Sequence, residues 1–345
     1  MFAGGAAPAE SLYGQIFAGE FRVLFLRRRV PENGPLQAAV IGAGVFGHHH
    51  ASKYTALDGV ELFAIADPAA ETRTKAAAHY GCKAVADWRE LLGKVDLVSI
   101  CSPAITHAPI VRAFLNAGAH VLVEKPIATT QEEAAELVAL ARSMGKVLTV
   151  GHQERFVFAR TGLLDLAETP LEITCWRQGP WTGRGDDVSA VLDLMIHDLD
   201  LVHTLVPGAV TDVAATALIE YGPHADEISA RLTFAGGTVA RLETSRIAPE
   251  RKRGLRAVYA DGVVEIDFPS RTVTNTTPRP IGALEVGDPL GESVAGFVAA
   301  ARAGTDALVT PEQAAQALAT ALLIEDAAGV ALPVPANDAR IAANG

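Results

Sequence analysis

The chain has few cysteines and no long apolar run. Its three cysteines, Cys82, Cys101 and Cys175, lie far apart and form no CxxC pair, so the sequence predicts neither a disulfide framework nor a zinc knuckle. No apolar stretch reaches the ~20 residues that a membrane-spanning helix needs, and the most apolar segment, 317–334, is interrupted by two acidic residues. These features are typical of a cytoplasmic protein that does not enter a membrane.

The chain also lacks an excess of basic residues. Its 345 residues include 29 basic and 40 acidic side chains, which gives a formal net charge of −11. Such a balance provides little general attraction for the phosphates of a nucleic acid, so DNA or RNA binding is disfavoured. Hydrophobic residues make up 49% of the chain, enough to bury the cores of two domains.

Residues 1–36 do not resemble a targeting signal. Three arginines, Arg27, Arg28 and Arg29, follow the apolar stretch FRVLFL rather than precede it, which is the reverse of a secretory signal. The sequence PENG after the arginines excludes the apolar core of a twin-arginine signal. A disordered leader, an added arm that packs on a partner subunit, and a translation start placed too far upstream all remain open, so the role of this extension is unknown.

The rest of the chain divides into two patterns. In residues 37–152, apolar strands alternate with helices of roughly ten to fifteen residues, which predicts a doubly wound parallel sheet of Rossmann type. In residues 153–335, strands with alternating polar and apolar residues predict an α+β substrate and oligomerisation domain with a mainly antiparallel open sheet. The last helices, near 292–303 and 311–328, are candidates for packing back on the first domain, and 336–345 form a tail.

A glycine-rich turn follows the first strand. Gly42, Gly44 and Gly47 form GAGVFG at the point where a strand passes into a helix. The first glycine permits a tight turn, the second lets the backbone approach a pyrophosphate, and the third allows close helix–strand packing. Asp67 ends the next strand, where it can accept hydrogen bonds from ribose hydroxyls. The predicted dinucleotide contacts here are Gly42, Gly44, Val45, Phe46, Gly47 and Asp67.

The same carboxylate bears on the choice of cofactor. Asp67 would repel the 2′-phosphate of NADP, so the sequence favours NAD. Arg73 is a candidate phosphate ligand, although a solvated helix arginine is the commoner situation.

Two groups of residues suggest acid–base chemistry. Glu124, Lys125 and Pro126 end a strand, at the sheet edge where ligands bind in open α/β sheets. A lysine there can hydrogen-bond a substrate hydroxyl or take its proton; the alternative is an ordinary surface lysine. Asp193 and His197 are four residues apart on a predicted helix, so one face presents a carboxylate and an imidazole together.

The neighbouring acidic residues carry no such expectation. Asp198 and Asp200 fall on other faces of the same helix, where we expect solvated side chains. The D-x-x-x-H pair could be half of a metal site, but no third ligand is evident. The sequence therefore predicts no bound metal.

The segments GAGVFGHHH, SPAITH, VEKP, GHQERF and LDLMIHDLDLV occur in an order and spacing that resemble the Gfo/Idh/MocA family over residues 37–330. The resemblance implies hydride transfer between a sugar carbon and nicotinamide C4. Lys125 matches the family lysine, and Asp193 and His197 match the substrate-binding and acid/base pair; which of Lys125 and His197 carries the proton stays open. The additional expected cofactor contacts are Ser102, Pro103, His107, Glu124, Lys125 and Pro126. The additional expected substrate contacts are His152, Arg177, Trp181 and Arg184, with the arginines on a diphosphate and the tryptophan stacked on a sugar or base.

Two departures from the family pattern concern the substrate. Ala104 stands where members often carry asparagine, and Ser189 and Ala190 replace a common pair of glycines. The stretch GRGDDVSAVLDLMIHDLDLV resembles most the nucleotide-sugar branch, especially enzymes that oxidise the 3-hydroxyl of UDP-N-acetylglucosamine. A myo-inositol, polyol or free-monosaccharide dehydrogenase is the alternative within this chemistry.

Other functions and the oligomeric state are also open. An NAD-recycling glycosidase or epimerase and a non-catalytic NAD-binding sensor are the alternatives from other classes. A homodimer or homotetramer is expected, because LTF, VARLET and VYA in the second domain carry apolar residues that a monomer would expose.

Overall fold

The computed structural model describes residues 34–183 and 187–330. Its first half alternates strands with helices. The strands are β1 (Leu36–Ile41), β2 (Val60–Ala66), β3 (Lys83–Val85), β4 (Leu97–Ile100), β5 (His120–Val123) and β6 (Leu148–Val150). The helices are α1 (Val45–Thr55), α2 (Ala70–Tyr80), α3 (His107–Asn116) and α4 (Gln131–Met144). All six strands are parallel, in the order β3-β2-β1-β4-β5-β6, which confirms the predicted doubly wound sheet.

The order of the strands places the candidate site. The chain winds outward from β1 in both directions, so β1 and β4 are neighbours whose following loops diverge. This crevice at the carboxyl ends of the strands is where ligands bind in open α/β sheets. Every residue of β1 and β4 is buried, as expected for strands covered by helices on both faces. The three-residue β3 was not predicted, because so short an edge strand shows no periodicity.

The second domain contains a seven-stranded sheet. Its strands are β7 (Glu172–Gln178), β8 (Val210–Leu218), β9 (Glu227–Phe234), β10 (Val239–Ser245), β11 (Lys252–Tyr259), β12 (Gly262–Asp267) and β13 (Thr272–Asn275), in the order β13-β12-β11-β7-β10-β9-β8. Only β7 and β10 pair in parallel, and the other pairings are antiparallel. The predicted mainly antiparallel sheet is confirmed.

One expectation about this sheet is wrong. The large apolar side chains of β9, β10 and β11, which include Leu232, Phe234, Leu242 and Tyr259, are buried within the chain. They belong to the core that the sheet forms with the helices packed on its inner face. The period-2 pattern identified the apolar face correctly but could not show that helices of the same chain already cover it.

Four more helices complete the described part of the chain. These are α5 (Glu154–Thr161), α6 (Ile196–Leu205), α7 (Pro289–Ala303) and α8 (Pro311–Ala327). Helix α5 is followed directly by Gly162, which has a φ of 75°. A left-handed glycine is a common way to end a helix. A π-helical turn, Val191–Met195, leads directly into α6.

The last two helices join the halves of the chain. Phe297 and Val294 of α7 are fully buried in a cluster with Tyr54 of α1 and Leu62 of β2. Helix α8 contacts α4 and β6 of the first domain as well as α6 and β8 of the second. The crevice between the sheets is therefore held by extensive apolar packing.

No helix within the described ranges is long and apolar enough to cross a bilayer. The same part of the chain contains no cluster of three or more His, Cys, Asp or Glu side chains that could hold a metal ion.

Candidate active site

The three glycines of the first turn meet different surroundings. A Cβ on Gly42, whose φ is 94°, would lie 2.7 Å from the carbonyl oxygen of Cys101, and a Cβ on Gly47 would lie 1.9 Å from that of Gly42. Both positions need glycine for the fold itself. A Cβ on Gly44, by contrast, would meet no atom within 4 Å among the described residues beyond its chain neighbours. The space beside Gly44 is thus available to a ligand that approaches the backbone.

The start of α1 has the electrostatic character that an anionic ligand requires. Its first turn contains no acidic residue, and no side chain caps it. Val45 and Phe46 are about half exposed, so the first turn faces solvent. Unsatisfied amides at the positive end of a helix bind anions such as a pyrophosphate. The turn therefore fits a dinucleotide.

Asp67 is fixed at the end of β2. Its Oδ2 accepts a hydrogen bond from the Ala43 amide and its Oδ1 from the Ala69 amide, both at 2.8 Å. Each carboxylate oxygen keeps a further lone pair for a ribose hydroxyl. Arg73 donates from Nη1 to the carbonyl oxygens of Pro68, at 2.8 Å, and Asp67, at 3.3 Å, so it is folded against the backbone rather than solvated.

The segment after β4 is tied to the turn after β5. His107 is buried; its Nδ1 lies 2.7 Å from the carbonyl oxygen of Pro126, and its Nε2 lies 2.9 Å from that of Ser102. Burial lowers the pKa of His107. Ser102 also shares a hydrogen bond with Thr106, while Pro103 between them is exposed. His107 thus links the loop after β4 to the turn after β5.

Glu124 points into the domain. Its Oε1 lies 2.9 Å from Nε2 of His50, whose Nδ1 lies 3.0 Å from Oγ of Ser99; the hydroxyl of Tyr54 lies 2.8 Å from the same Oγ. Burial opposes the charged imidazole, but the Cys101 sulfur and the Glu124 carboxylate outweigh it and raise the pKa of His50 to about 10. Burial works against the carboxylate as well, but its hydrogen bond to His50 leaves the pKa of Glu124 lowered. An ionised pair therefore lies beneath the strand end that carries Lys125.

Lys125 contacts the π-helical turn of the second domain. Its Nζ donates to Oδ1 and to the backbone carbonyl oxygen of Asp193, both at 2.6 Å. The Lys125 side chain is 16% exposed and that of Asp193 is 25% exposed, so the pair is sheltered but reachable. The alternative of an ordinary surface lysine is therefore wrong. The Lys125–Pro126 bond is cis.

His197 lies close to Lys125 but has no hydrogen bond to Asp193 among the described residues. Its Nδ1 is buried without a partner there. Burial, then the charges of Arg177 and Lys125 and the neighbouring His152, lower the pKa of His197 far below its usual value. The His152 ring meets that of His197 edge-on at 5.9 Å, and both His152 nitrogens are buried with no hydrogen-bond partner in the described ranges. Two neutral imidazoles thus border the lysine.

The expectation of solvated acids on α6 is wrong. Asp198 and Asp200 are only 5% and 1% exposed. Asp198 accepts hydrogen bonds from Nε of Arg177, at 3.0 Å, and from its Nη2, at 2.7 Å. Asp200 accepts two from Arg155, each at 2.8 Å. Helical spacing shows that these acids turn away from Asp193, but not that arginines of β7 and α5 pack there.

The predicted substrate contacts of the 177–184 segment have other partners. Besides Asp198, the Arg177 guanidinium reaches Oε1 of Glu154 at 3.4 Å. The Trp181 ring stacks on Tyr221 with centroids 5.1 Å apart and planes 13° from parallel. Arg184 lies outside the described residues. Neither Arg177 nor Trp181 is therefore as available to a ligand as the sequence suggested.

A pocket of about 310 Å³ opens beside Asp193. Six charged side chains line this pocket, five of them basic and the sixth that of Asp193. The basic residues are Arg177, Arg246, Arg251, Lys252 and Arg253. Arg251 and Lys252 were not among the predicted site residues, although the run RKR at 251–253 stands out in an acidic chain. An anionic ligand that reaches Lys125 and Asp193 is thus met by positive charge.

Comparison with known proteins decides the family. Residues 36–152 match the family model described as an oxidoreductase family with an NAD-binding Rossmann fold. Residues 167–265 match the model of the GFO/IDH/MocA C-terminal domain. The chain belongs to this family. It is thus an oxidoreductase whose first domain is an NAD-binding Rossmann domain.

Individual relatives are dehydrogenases. The chain is 35% identical over 239 residues to UDP-N-acetylglucosamine 3-dehydrogenase of Acidithiobacillus ferrooxidans, covering 69% of this chain and 76% of the relative. A solved structure of that enzyme superposes with a TM-score of 0.79 at 32% identity, over 85% of this chain and 97% of the other. Inositol 2-dehydrogenase of Rhizobium meliloti is 27% identical over 261 residues, 70% of this chain and 76% of the relative.

This Gfo/Idh/MocA member differs from the common family pattern where the π-helical turn begins. Ser189 and Ala190, in place of two glycines, are buried. The Ser189 hydroxyl contacts the carboxyl group of Glu325 on α8 and accepts a hydrogen bond from the Leu192 amide at 3.3 Å. Burial raises the pKa of Glu325, and its Oε2 has no partner among the described residues. A buried carboxyl group whose ionisation is disfavoured therefore supports the turn that carries Asp193.

Replacement of Glu325 by glutamine tests this arrangement. A carboxyl group whose pKa is raised by folding stabilises the protein below its unfolded pKa, and this contribution is lost as the pH rises through the folded value. Glu325→Gln cannot ionise, and its amide oxygen still accepts the hydrogen bond that the Ser189 hydroxyl donates. We expect its Tm to exceed that of the parent by a few degrees at pH 8 and to match it at pH 5. Thermal unfolding across this range measures the difference; an offset independent of pH contradicts the assignment.

Proposed function

We propose that this dehydrogenase oxidises the 3-hydroxyl of a nucleotide sugar such as UDP-N-acetylglucosamine with NAD as the oxidant. The observation that carries the proposal is the Lys125–Asp193 pair beside a pocket lined by five basic side chains. The pair suits a sugar hydroxyl, and the positive lining suits a diphosphate. The 35% identity to a UDP-N-acetylglucosamine 3-dehydrogenase supports the same substrate.

NAD rather than NADP is the proposed cofactor. The carboxylate of Asp67 is held by two backbone amides and cannot turn away from a 2′-phosphate, which it would repel. The residues proposed to hold the dinucleotide are Gly42, Gly44, Val45, Phe46, Gly47, Asp67, Ser102, Pro103, His107, Glu124, Lys125 and Pro126. Of these, His107 acts by linking the two loops, and Glu124 acts through its pair with His50 of α1, rather than by contact with the dinucleotide. When bound, NAD supplies the hydride acceptor at C4 of its nicotinamide.

Lys125, His197 and His152 have different proposed roles in the oxidation of the substrate hydroxyl. The C–H bond at the oxidised carbon breaks with its electron pair, the O–H bond gives up a proton, and a ketone remains. Lys125, steadied by Asp193, donates a hydrogen bond to the oxygen where negative charge develops. His197, whose lowered pKa leaves its ring unprotonated and whose Nδ1 has no partner among the described residues, is the proposed proton acceptor. His152 contacts the His197 ring and fixes its orientation.

A panel of substrates tests the function. Purified protein is assayed for NADH with UDP-N-acetylglucosamine, other UDP-sugars, myo-inositol and free hexoses, each with NAD and with NADP. A partner aminotransferase with glutamate, or hydroxylamine, consumes the ketone so that its accumulation does not stop turnover. We expect the highest kcat/KM with UDP-N-acetylglucosamine and NAD. Turnover confined to a free polyol or hexose would refute the nucleotide-sugar substrate and leave the family assignment intact.

Two other outcomes of the panel indicate different functions. Inositol 2-dehydrogenases among the relatives favour a polyol as the second candidate. Substrate conversion without accumulation of NADH would indicate a glycosidase or epimerase that recycles its cofactor. Binding of NAD without any conversion would support a sensor.

The oligomeric state and the domain limits stay predictions. A homodimer or homotetramer is still expected, although the outer face of the second sheet carries exposed polar residues, such as Ser229 and Glu243, where an apolar surface was first expected. Sedimentation of the purified protein measures the number of subunits. The limits 37–152 and 153–335 of the two domains are proposals.

A further inference from the structure

Three of the five basic residues in the pocket are paired with carboxylates of the same chain. Arg177 is held by Asp198 through two hydrogen bonds, and Arg246 donates from Nε to Asp226 at 2.7 Å. Arg253 contacts the carboxylate of Glu154. An arginine paired in this way has donors already used and charge already balanced.

Arg251 and Lys252 are different. Both are exposed, and neither side chain has a hydrogen bond or ion pair with any residue in the described ranges. Lys252 lies opposite Gln178 in the β7–β11 register, and Cγ of Arg251 lies 3.5 Å from the position of a Cβ on Gly179. The two cations therefore border the backbone of 178–179 at the edge of the pocket that Asp193 also lines.

We propose that Arg251 and Lys252 bind the diphosphate of a nucleotide-sugar substrate and thereby select it over free sugars. The inference rests on the proposed function and names the residues that decide the substrate class. The two unpaired cations suit a diphosphate, since a guanidinium can bind phosphate oxygens in pairs and an ammonium adds a point charge at the pocket. Because the net charge of the chain is −11, general attraction cannot replace these local contacts.

The position of the two cations also orients the ligand. With the diphosphate at Arg251 and Lys252, the sugar extends across the pocket to the Lys125–Asp193 pair. Arg177, which the sequence suggested as a diphosphate contact, instead stays with Asp198 and forms part of the wall. Free hexoses and polyols would lack the anchoring contact.

The test uses Arg251→Ala, Lys252→Ala and the double variant, with Arg241→Ala as the matched control. Arg241 is an exposed arginine on the outer sheet face, outside the pocket. Each pocket variant is expected to raise KM for UDP-N-acetylglucosamine about tenfold, equal to ~1.4 kcal/mol, with kcat and KM for NAD little changed. Arg241→Ala should match the parent. Added salt should raise KM of the parent more than that of the double variant.

Calorimetric binding of UDP alone separates this inference from the proposed function. UDP that binds the parent and not the double variant supports the anion site, whatever the oxidised substrate proves to be. Turnover of UDP-sugars with equal KM in parent and double variant overturns the inference and leaves the proposed function standing. Failure of the parent both to bind UDP and to oxidise UDP-sugars overturns both.

Discussion

Replacement of Lys125 by methionine is expected to lower kcat/KM for the sugar substrate by about 10²–10⁴-fold, the range typical of a lost acid–base or hydrogen-bonding group. Methionine keeps the length and apolar part of the side chain and removes the ammonium that Asp193 holds. NAD contacts elsewhere in the first domain are unaffected, so its Kd should change less than threefold. Steady-state NADH formation and fluorescence titration with NAD measure the two effects.

The control for Lys125→Met is Lys75→Met. Lys75 is an exposed residue of α2 whose single ion pair within the described part of the chain is with Glu71, one turn away. Its replacement should leave kcat/KM within twofold of the parent. If Lys125→Met also retained parental kcat/KM, Lys125 would have no part in the reaction. The roles proposed for Asp193 and His197 would then be contradicted as well.

Two glycine substitutions in the first turn should separate binding from folding. Gly44→Ala places a methyl group where no described residue beyond its chain neighbours has an atom within 4 Å, so its Tm should equal that of the parent. The same methyl group occupies the approach of the pyrophosphate, and we expect the Kd for NAD to rise at least tenfold, or ~1.4 kcal/mol. Gly47→Ala places its Cβ 1.9 Å from the Gly42 carbonyl oxygen, and should cost ~1–3 kcal/mol of stability or more.

Thermal unfolding and NAD titration of both variants check this pair. The contrast matters more than either value, because the two residues belong to one motif and differ only in what surrounds them. Unchanged NAD affinity in Gly44→Ala would show that the dinucleotide does not pass over this turn. A Gly47→Ala variant as stable as the parent would contradict the close packing of α1 on β1.

The sequence predicted what depends on local patterns. The parallel sheet followed from alternating strands and helices, and the turn at Gly42–Gly47 from glycines placed directly between a strand and a helix. The pairing of Lys125 with Asp193 across 68 residues is long-range, and the family resemblance rather than the spacing brought the two residues together. The mainly antiparallel second sheet followed from strands in which alternate residues are apolar.

The sequence could not show which partner each charged side chain finds. Asp198 and Asp200 looked solvated because helical spacing says nothing of arginines on other elements. Arg177 looked available for a ligand for the same reason. Arg251 and Lys252, in contrast, were missed although they stand in a visible basic run. Their lack of partners among the described residues appears only when the neighbouring strands are in place.

The most direct test of the central claim follows the hydrogen that the enzyme removes. UDP-N-acetylglucosamine deuterated at C3 is incubated with the protein and NAD, and the reduced cofactor is isolated and analysed by mass spectrometry. The account predicts NADH that carries the deuterium, with a UDP-linked 3-ketosugar as the other product. Unlabelled NADH, or no NADH from this substrate when NAD is bound, would contradict oxidation of a nucleotide sugar at its 3-hydroxyl.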